Sequence, residues 1–363
     1  MPTIPSLFHA YGPEYIERSA NVPYSHLTTI QAICACRTAA YGTSLSPCQS
    51  CGHHHRISHA CGHRHCPQCQ HHTTQRWLHN QLAKQLPGPH FLMTFTIPET
   101  LRPLSRSPPR LAYHALLKAS SEALKRLAKD ARFIGTDLPG FPGILHTWGR
   151  QLQYHPHLHD IVPGGGLSKQ RDQWLPSRSN FSVPVKALSP ISRAVFTQER
   201  AQAECLQLID PQVWNTSWNV QSQANPNGSL ALTYLAPYVF KVAIANRRLV
   251  GLKDRIVTFT SRKPGSNRPR TIRLAVIECI RRFLHHVLPT GFMKVRHVGF
   301  VHPNCTINTQ DIRRLITPQN ATPSTPAHAP STPAPDVLCP TCGAPMRMVS
   351  RVMPWHTGCR DTG

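Results

Sequence analysis

The sequence predicts an α+β protein in which a small domain dense in cysteine and histidine precedes a larger mixed domain. Three observations carry that prediction. Seven of the thirteen cysteines and eight of the twenty-three histidines fall between Cys34 and His72. From His90 to His302, short β-like runs such as Phe91–Ile97 and Ile256–Thr260 share the chain with stretches of helical spacing. At 363 residues the chain exceeds the usual size of one domain, so two or three are expected.

Residues 1–85 are read as the first domain. Cys48 and Cys51 are followed, after fourteen residues, by Cys66 and Cys69. Two CxxC knuckles at that separation suggest a tetrahedral zinc ribbon. Cys36 and Cys61, with His53, His63, His65 and Cys34, supply enough further ligands for two zinc ions, and spacing leaves open which residues share which ion. The zinc is expected to be structural, a staple for a domain too small to fold alone. The opening MPTIPSLFHAYGPEY has neither the basic region nor the apolar run of a signal peptide, which favours a reducing cytoplasm and metal ligation over disulfides.

Residues 86–305 are read as the second domain. In AYHALLKASSEALKRLAKDA, Leu116, Leu117, Leu124 and Leu127 recur at helical intervals with Lys and Arg on the other face, which predicts an amphipathic helix packed on a core. In QLQYHPHLHDIVPGGG, His155, His157 and His159 occupy alternate positions, bounded by a Gly164-Gly165-Gly166 turn. In a strand all three point to one face. His157 and His159 would then offer two imidazoles to one divalent ion while Leu158 packs into the core behind. Tyr234 and Tyr238 lie four residues apart, a spacing that puts both hydroxyls on one helix face. Pro237 fits best in a first helical turn, which would leave Tyr234 in the lead-in and Tyr238 the better-placed hydroxyl. Arg247 and Arg248 follow as candidate DNA contacts. Lys253, Arg281, Arg282, Lys294, Arg296 and Trp148 are further candidates to line a channel for single-stranded DNA.

Residues 306–337 are read as a linker, because TPQNATPSTPAHAPSTPAPD is rich in Pro, Thr and Ala and nearly uncharged. Residues 338–363 form a short zinc-knuckle tail. There Cys339 and Cys342 offer a candidate second zinc site that His356 and Cys359 are able to complete. Cys205, Cys279 and Cys305 are isolated, and an isolated cysteine is more often a small buried apolar residue than a nucleophile.

Forty Lys+Arg against sixteen Asp+Glu give a formal net charge of +24, of the sign that attracts a phosphate backbone. No run of eighteen apolar residues argues for a membrane span. The scarcity of carboxylates weighs against a cut-and-paste transposase or integrase built on an acidic triad. A non-enzymatic zinc-dependent DNA-binding protein fits the charge and the cysteines but gives no reason for the histidine and tyrosine runs.

Five ordered blocks carry a family resemblance: CRTAAYGTSLSPCQSCG with ACGHRHCPQCQ, FLMTFTIPETLRPL, LHTWGRQLQYHPHLHDIVPGGGLS, YLAPYVFKVAIANRRLV and IRRFLHHVLPTGFMKVRHVGF. Together they resemble the two-tyrosine rolling-circle transposases of the HUH superfamily, the insertion-sequence-ninety-one type, over most of the chain. The resemblance implies metal ligation by His157 and His159, nucleophiles at Tyr234 and Tyr238, and a zinc-binding, DNA-recognition role for the cysteine cluster. It also implies an antiparallel sheet with helices on one side, the palm of HUH nucleases, with the histidine strand central; periodicity alone gives only α+β. The implied cofactors are Mg²⁺ or Mn²⁺ at the histidines beside structural Zn²⁺. The implied partner is DNA, the single-stranded ends of the protein's own element, met in the bacterial cytoplasm at the nucleoid. A third ligand of the catalytic metal is not placed by the resemblance. Gly42-Thr43-Ser44 stands where similar proteins carry Gly-Gly-His, which removes one candidate zinc ligand. A tyrosine hydroxyl, with a free pKa of about 10, needs a base or a metal-polarised phosphate to attack at neutral pH. The attack would leave a 5′-phosphotyrosine and a free 3′-OH, an ester that stores the energy for rejoining.

Overall fold

The computed structural model describes residues 2–106, 108–178, 183–201, 212, 214, 216, 218–225, 228–240, 243–262, 268–317, 337–346 and 350–352. In chain order the helices are α1 (Ile4–Arg18), α2 (Tyr24–Ala35), α3 (His71–Ala83) and α4 (Pro109–Lys129). They continue with α5 (Val185–Ala201), α6 (Gly228–Phe240), α7 (Val276–Leu284) and α8 (Thr309–Ile316). The strands are β1 (Thr43–Pro47), β2 (His54–Ser58), β3 (His90–Thr96), β4 (Gly140–Trp148), β5 (Tyr154–Pro163), β6 (Gly165–Leu167), β7 (Trp174–Pro176) and β8 (Asn219–Asn225). Then come β9 (Leu249–Lys253), β10 (Ile256–Arg262), β11 (Pro269–Ala275), β12 (Val295–Gly299), β13 (Val337–Leu338), β14 (Pro345–Met346) and β15 (Ser350–Val352). Contacts divide the chain into two compact units, each discontinuous in sequence: 1–73 with 240–287 and 324–363, and 74–239 with 288–323.

The second unit is built on a five-stranded antiparallel sheet in the order β12-β4-β5-β3-β8, so the histidine strand β5 is central. Along β5, Tyr154, Pro156 and Leu158 are buried and His155, His157 and His159 are half-buried. The same alternation in β3 turns Phe91, Met93 and Phe95 to the Leu158 face and Thr94 and Thr96 to the histidine face. Helices α4 and α5 cover the apolar face. Leu116 and Leu124 of α4 and Leu188 and Phe196 of α5 join Phe95, Leu145 and Leu158 in one core, each such side chain contributing about 2 kcal/mol through burial. The α+β class and the amphipathic helix thus stand as the sequence predicts, and the antiparallel sheet with a central histidine strand as the family resemblance implies.

The first unit holds two three-stranded antiparallel sheets, β15-β1-β2 and β11-β10-β9. Helix α1 meets α7 through Phe8 and Phe283, whose rings pack edge to face at 5.3 Å, and Glu14 pairs with Arg255. Segment 240–287, which sequence reading assigns to the domain spanning 86–305, therefore folds with the N-terminal residues. Contacts between residues so far apart in the chain leave no local period to read. Helix α8 occupies part of the expected 306–337 linker: Asn308 caps it by accepting from the Gln310 N–H at 2.9 Å, and Ile312 is buried with Leu86, Leu167 and Phe300. The linker residues 318–336 lie outside the described residues. Among the described residues no helix is long and apolar enough to cross a membrane.

Candidate metal and nucleophile site

Strand β4 pairs with β5 in a register that sets His146 opposite His157 and Ile144 opposite His159, and directly opposed residues share a face. His146, His157 and His159 each offer a ring nitrogen, and these atoms all lie within 4.8 Å of one another. The His157 Nδ1 lies 2.7 Å from the His155 carbonyl. A carbonyl only accepts, so Nδ1 carries the proton and Nε2 keeps its lone pair. The His159 Nδ1 lies 3.0 Å from the Thr94 hydroxyl. The Nε2 of His146 is buried without a hydrogen-bond partner. Burial holds His146 and His157 well below the usual imidazole range, with neighbouring imidazoles adding to the effect, and lowers His159 to about 4. All three rings are thus neutral at pH 7, the state in which imidazole binds a cation. The His155 ring lies 5.0 Å from that of His157, tilted by 43°, but stays outside the group.

Helix α6 carries both tyrosines in one continuous run from Gly228 to Phe240, with Pro237 in its last turns rather than its first. Tyr234 is therefore helical, not in a lead-in. Gly228, Ala231, Leu232, Leu235, Ala236 and Val239 are buried along one face of that helix, and their burial offsets the roughly 3 kcal/mol cost of an internal proline. The Tyr234 and Tyr238 rings lie 5.7 Å apart, as four-residue spacing requires. Tyr238 reaches the histidines, with its ring centroid 5.6 Å from His146 and 6.4 Å from Trp148. Trp148 follows a bulge in β4 and stacks on His146 at 5.1 Å and 15°. The Lys294 ammonium sits 4.5 Å above the Trp148 ring and donates to the Tyr238 carbonyl at 2.6 Å. Tyr234 is 59% exposed and Tyr238 37%. Partial desolvation, then the neighbouring Tyr238, pushes the Tyr234 hydroxyl above its usual range. Beyond the histidines the same sheet face is polar: Thr96 pairs with Asn219 and Thr94 with Gln221, both exposed on β8.

His146 is the residue that sequence reading missed, although it stands in one of the five blocks. Its signal was hairpin symmetry. If the strands before and after Gly149–Gln153 are paired, a register that opposes His146 and His157 follows.

The cysteines group differently from the spacing argument. Cys36, Cys61, Cys66 and Cys69 form one four-sulfur cluster and Cys48, Cys51, Cys339 and Cys342 another, with the sulfurs of each within 4.8 Å of one another. The knuckles Cys48/Cys51 and Cys66/Cys69 thus do not share a site. Both clusters are complete without a ligand at Thr43 or Ser44. His356, Cys359 and Cys205 lie outside the described residues. Cys279 is buried, as expected of an isolated cysteine, and Cys305 is half-buried.

Several candidate DNA-contacting cations have other partners. Arg248 donates to the Thr260 carbonyl at 2.8 Å and lies over Phe259, whereas Arg247 is exposed. Arg281 and Arg282 both donate to Glu278. Arg247, Arg248, Arg281 and Arg282 belong to the first unit, the histidines and tyrosines to the second.

Comparison with known proteins bears on both units. Residues 7–97 match the family model described as "Transposase zinc-binding domain" and residues 140–308 the one described as "Putative transposase". The chain is 33% identical to "Putative transposase y4qJ" of Sinorhizobium fredii, over 83% of this chain and 80% of that protein. It is 26% identical to "Transposase for insertion sequence element IS801" of Pseudomonas savastanoi pv. phaseolicola, over 83% of this chain and 80% of that protein. No solved structure matches.

Proposed function

Because the chain belongs to the insertion-sequence-ninety-one transposases with an N-terminal zinc-binding domain, we propose that it cuts and transfers single DNA strands with a tyrosine nucleophile, in the HUH manner. The observation that carries this reading is the convergence of His146, His157 and His159 with Tyr238 on one face of the central strand.

The donor set fits a divalent cation. Three neutral imidazoles converge, and one of them has a buried ring nitrogen with no hydrogen-bond partner. Such nitrogen-rich ligation suits Mn²⁺ ahead of Mg²⁺, so of the two expected ions manganese is the better match, with availability deciding occupancy. Bound by His146, His157 and His159, the ion would draw charge from a non-bridging oxygen of the scissile phosphate and make phosphorus more electrophilic.

The chain's own residues supply the rest. The Tyr238 phenolic oxygen forms the new bond to phosphorus as the P–O3′ bond breaks. The phenolic proton passes to solvent and the departing oxygen is protonated to a 3′-OH, leaving a 5′-phosphotyrosine. Lys294, held over Trp148 and against the Tyr238 carbonyl, sets a positive charge beside the phosphate. Trp148, stacked on His146 and lying under the Lys294 ammonium, holds that charge beside the tyrosine. Tyr234, one turn away and more exposed, serves as the nucleophile for a second strand. The substrate is the single-stranded ends of the protein's own element, met at the nucleoid in a bacterial cytoplasm, and the cysteine-rich domain, with a structural zinc on Cys36, Cys61, Cys66 and Cys69, recognises that DNA. Arg247 is the exposed candidate for a further phosphate contact.

The test is incubation with 5′- and 3′-labelled single-stranded element ends and Mn²⁺ or Mg²⁺. A protein–DNA adduct at the 5′ end, absent from Tyr234→Phe/Tyr238→Phe and from His157→Ala, is the expected result. Tight DNA binding with no adduct under either ion would replace this reading with that of a non-enzymatic zinc-dependent DNA-binding protein.

A further inference from the structure

We propose that Cys48, Cys51, Cys339 and Cys342 bind one zinc ion, closing residues from the two ends of the chain into a single zinc ribbon. All four are free thiols. The Cys48 and Cys342 sulfurs are 3.5 Å apart and those of Cys51 and Cys339 3.6 Å. Four sulfurs held tetrahedrally on zinc would stand about 3.8 Å from one another, so the cluster is already close to ligating geometry.

A second observation is independent of those distances. The two knuckles have the same backbone. In the first, between β1 and β2, the Cys48 N–H donates to the His53 carbonyl at 2.8 Å and the Gly52 N–H to the Cys48 carbonyl at 2.9 Å. In the second, between β13 and β14, the Cys339 N–H donates to the Ala344 carbonyl at 2.8 Å and the Gly343 N–H to the Cys339 carbonyl at 2.9 Å. Gly52 and Gly343, each directly after the second cysteine, have φ of 71° and 72°, a conformation that favours glycine. The same turn thus occurs twice, and each copy brings its two cysteine sulfurs to the shared cluster. Strand β15 supports the closure by pairing with β1, Thr43 opposite Val352 and Leu45 opposite Ser350.

Four thiolates with no open position select a thiophilic, structural ion, and zinc is the first choice. The tail knuckle therefore completes the N-terminal one and needs neither His356 nor Cys359. Cys51 and Cys342 are exposed, whereas the cluster of Cys36, Cys61, Cys66 and Cys69 has no exposed member. The ribbon zinc is the more accessible of the two and should leave first, releasing the tail while the inner zinc stays.

Zinc content of the purified full-length chain carrying His146→Ala/His157→Ala, so that the imidazole site takes no zinc, is measured by elemental mass spectrometry and tests this. Two zinc ions per chain are expected, with one in Cys48→Ser/Cys51→Ser, one in Cys339→Ser/Cys342→Ser, and still one in the quadruple variant. His356→Ala/Cys359→Ser should keep both. In that histidine-substituted background, three ions with the cysteines intact, two of them lost in the quadruple variant, would establish separate sites and overturn the proposal, as would two ions retained in Cys339→Ser/Cys342→Ser. A readout on the unmodified chain guards against misfolded variants. During chelator titration, alkylation of Cys51 and Cys342 should rise together with release of the first zinc, and protection of either thiol throughout that release would also overturn the proposal.

Discussion

Replacing Gly143 with alanine should destabilise the second unit and weaken metal binding together. A Cβ at this position would lie 2.5 Å from Asp160 Oδ1 and 3.7 Å from Leu158 Cδ2. Ordinary contact begins at 3.4 Å, so the Asp160 carboxyl must retreat by nearly an ångström. It has little room, being 1% exposed with its Oδ2 unpartnered. Burial pushes its pKa well above the usual carboxylate range. Asp160 follows His159 directly and pairs with Gly143 across the sheet, so its displacement pulls on the strand that carries His157 and His159. Overpacking of this kind costs about 1–3 kcal/mol. Urea denaturation gives the stability and calorimetric titration with Mn²⁺ the affinity. Shortening the obstructing side chain should relieve the clash, so Gly143→Ala/Asp160→Ala should cost at least about 1 kcal/mol less than the sum of the two single variants and should recover part of the Mn²⁺ affinity. Wild-type stability and affinity in Gly143→Ala, or strict additivity in the cycle, would falsify the steric argument.

Three further outcomes are expected. His146→Ala should lower the initial rate of 5′-adduct formation by at least about a hundredfold while leaving the thermal midpoint within a few degrees of wild type; an unchanged rate removes His146 from the site. Lys294→Ala should reduce the salt dependence of single-stranded DNA binding by about 0.7 in log–log slope, measured by fluorescence anisotropy from low to physiological salt, and an unaltered slope means that Lys294 meets no phosphate. Glu278, held at about 2 by hydrogen bonds from Arg281 and then Arg282, has a folded pKa below its usual value. Its contribution is present above about pH 4.5 and fades as pH falls toward 2. After discounting for solvent screening it amounts to about 1 kcal/mol, so Glu278→Gln should trail wild type by that much in urea at pH 7, by less at pH 3, and converge with it only near pH 2. A constant gap across that range would mean that packing, not charge, sets the difference.

The features legible in the sequence were those with a local period or a local turn. Alternation along β5 put His157 and His159 on one face and Leu158 in the core, and four-residue spacing put Tyr234 and Tyr238 on one side of α6, because strand and helix geometry repeat within a few residues. CxxC spacing marked the thiolate knuckles for the same reason. Partnership was not legible. His146 joins His157 and His159 only through the β4–β5 register, and Cys48 and Cys51 turn to Cys339 and Cys342 rather than to Cys66 and Cys69, which are nearer in sequence. Segment 240–287 leaves the unit that holds the histidines and tyrosines to pack with α1, and Pro237 is accommodated late in α6 because a buried apolar face offsets its cost. Each of these depends on which surfaces bury one another across long stretches of chain. That choice is set by packing summed over the whole unit, so it appears in the tertiary structure and not in any window of sequence.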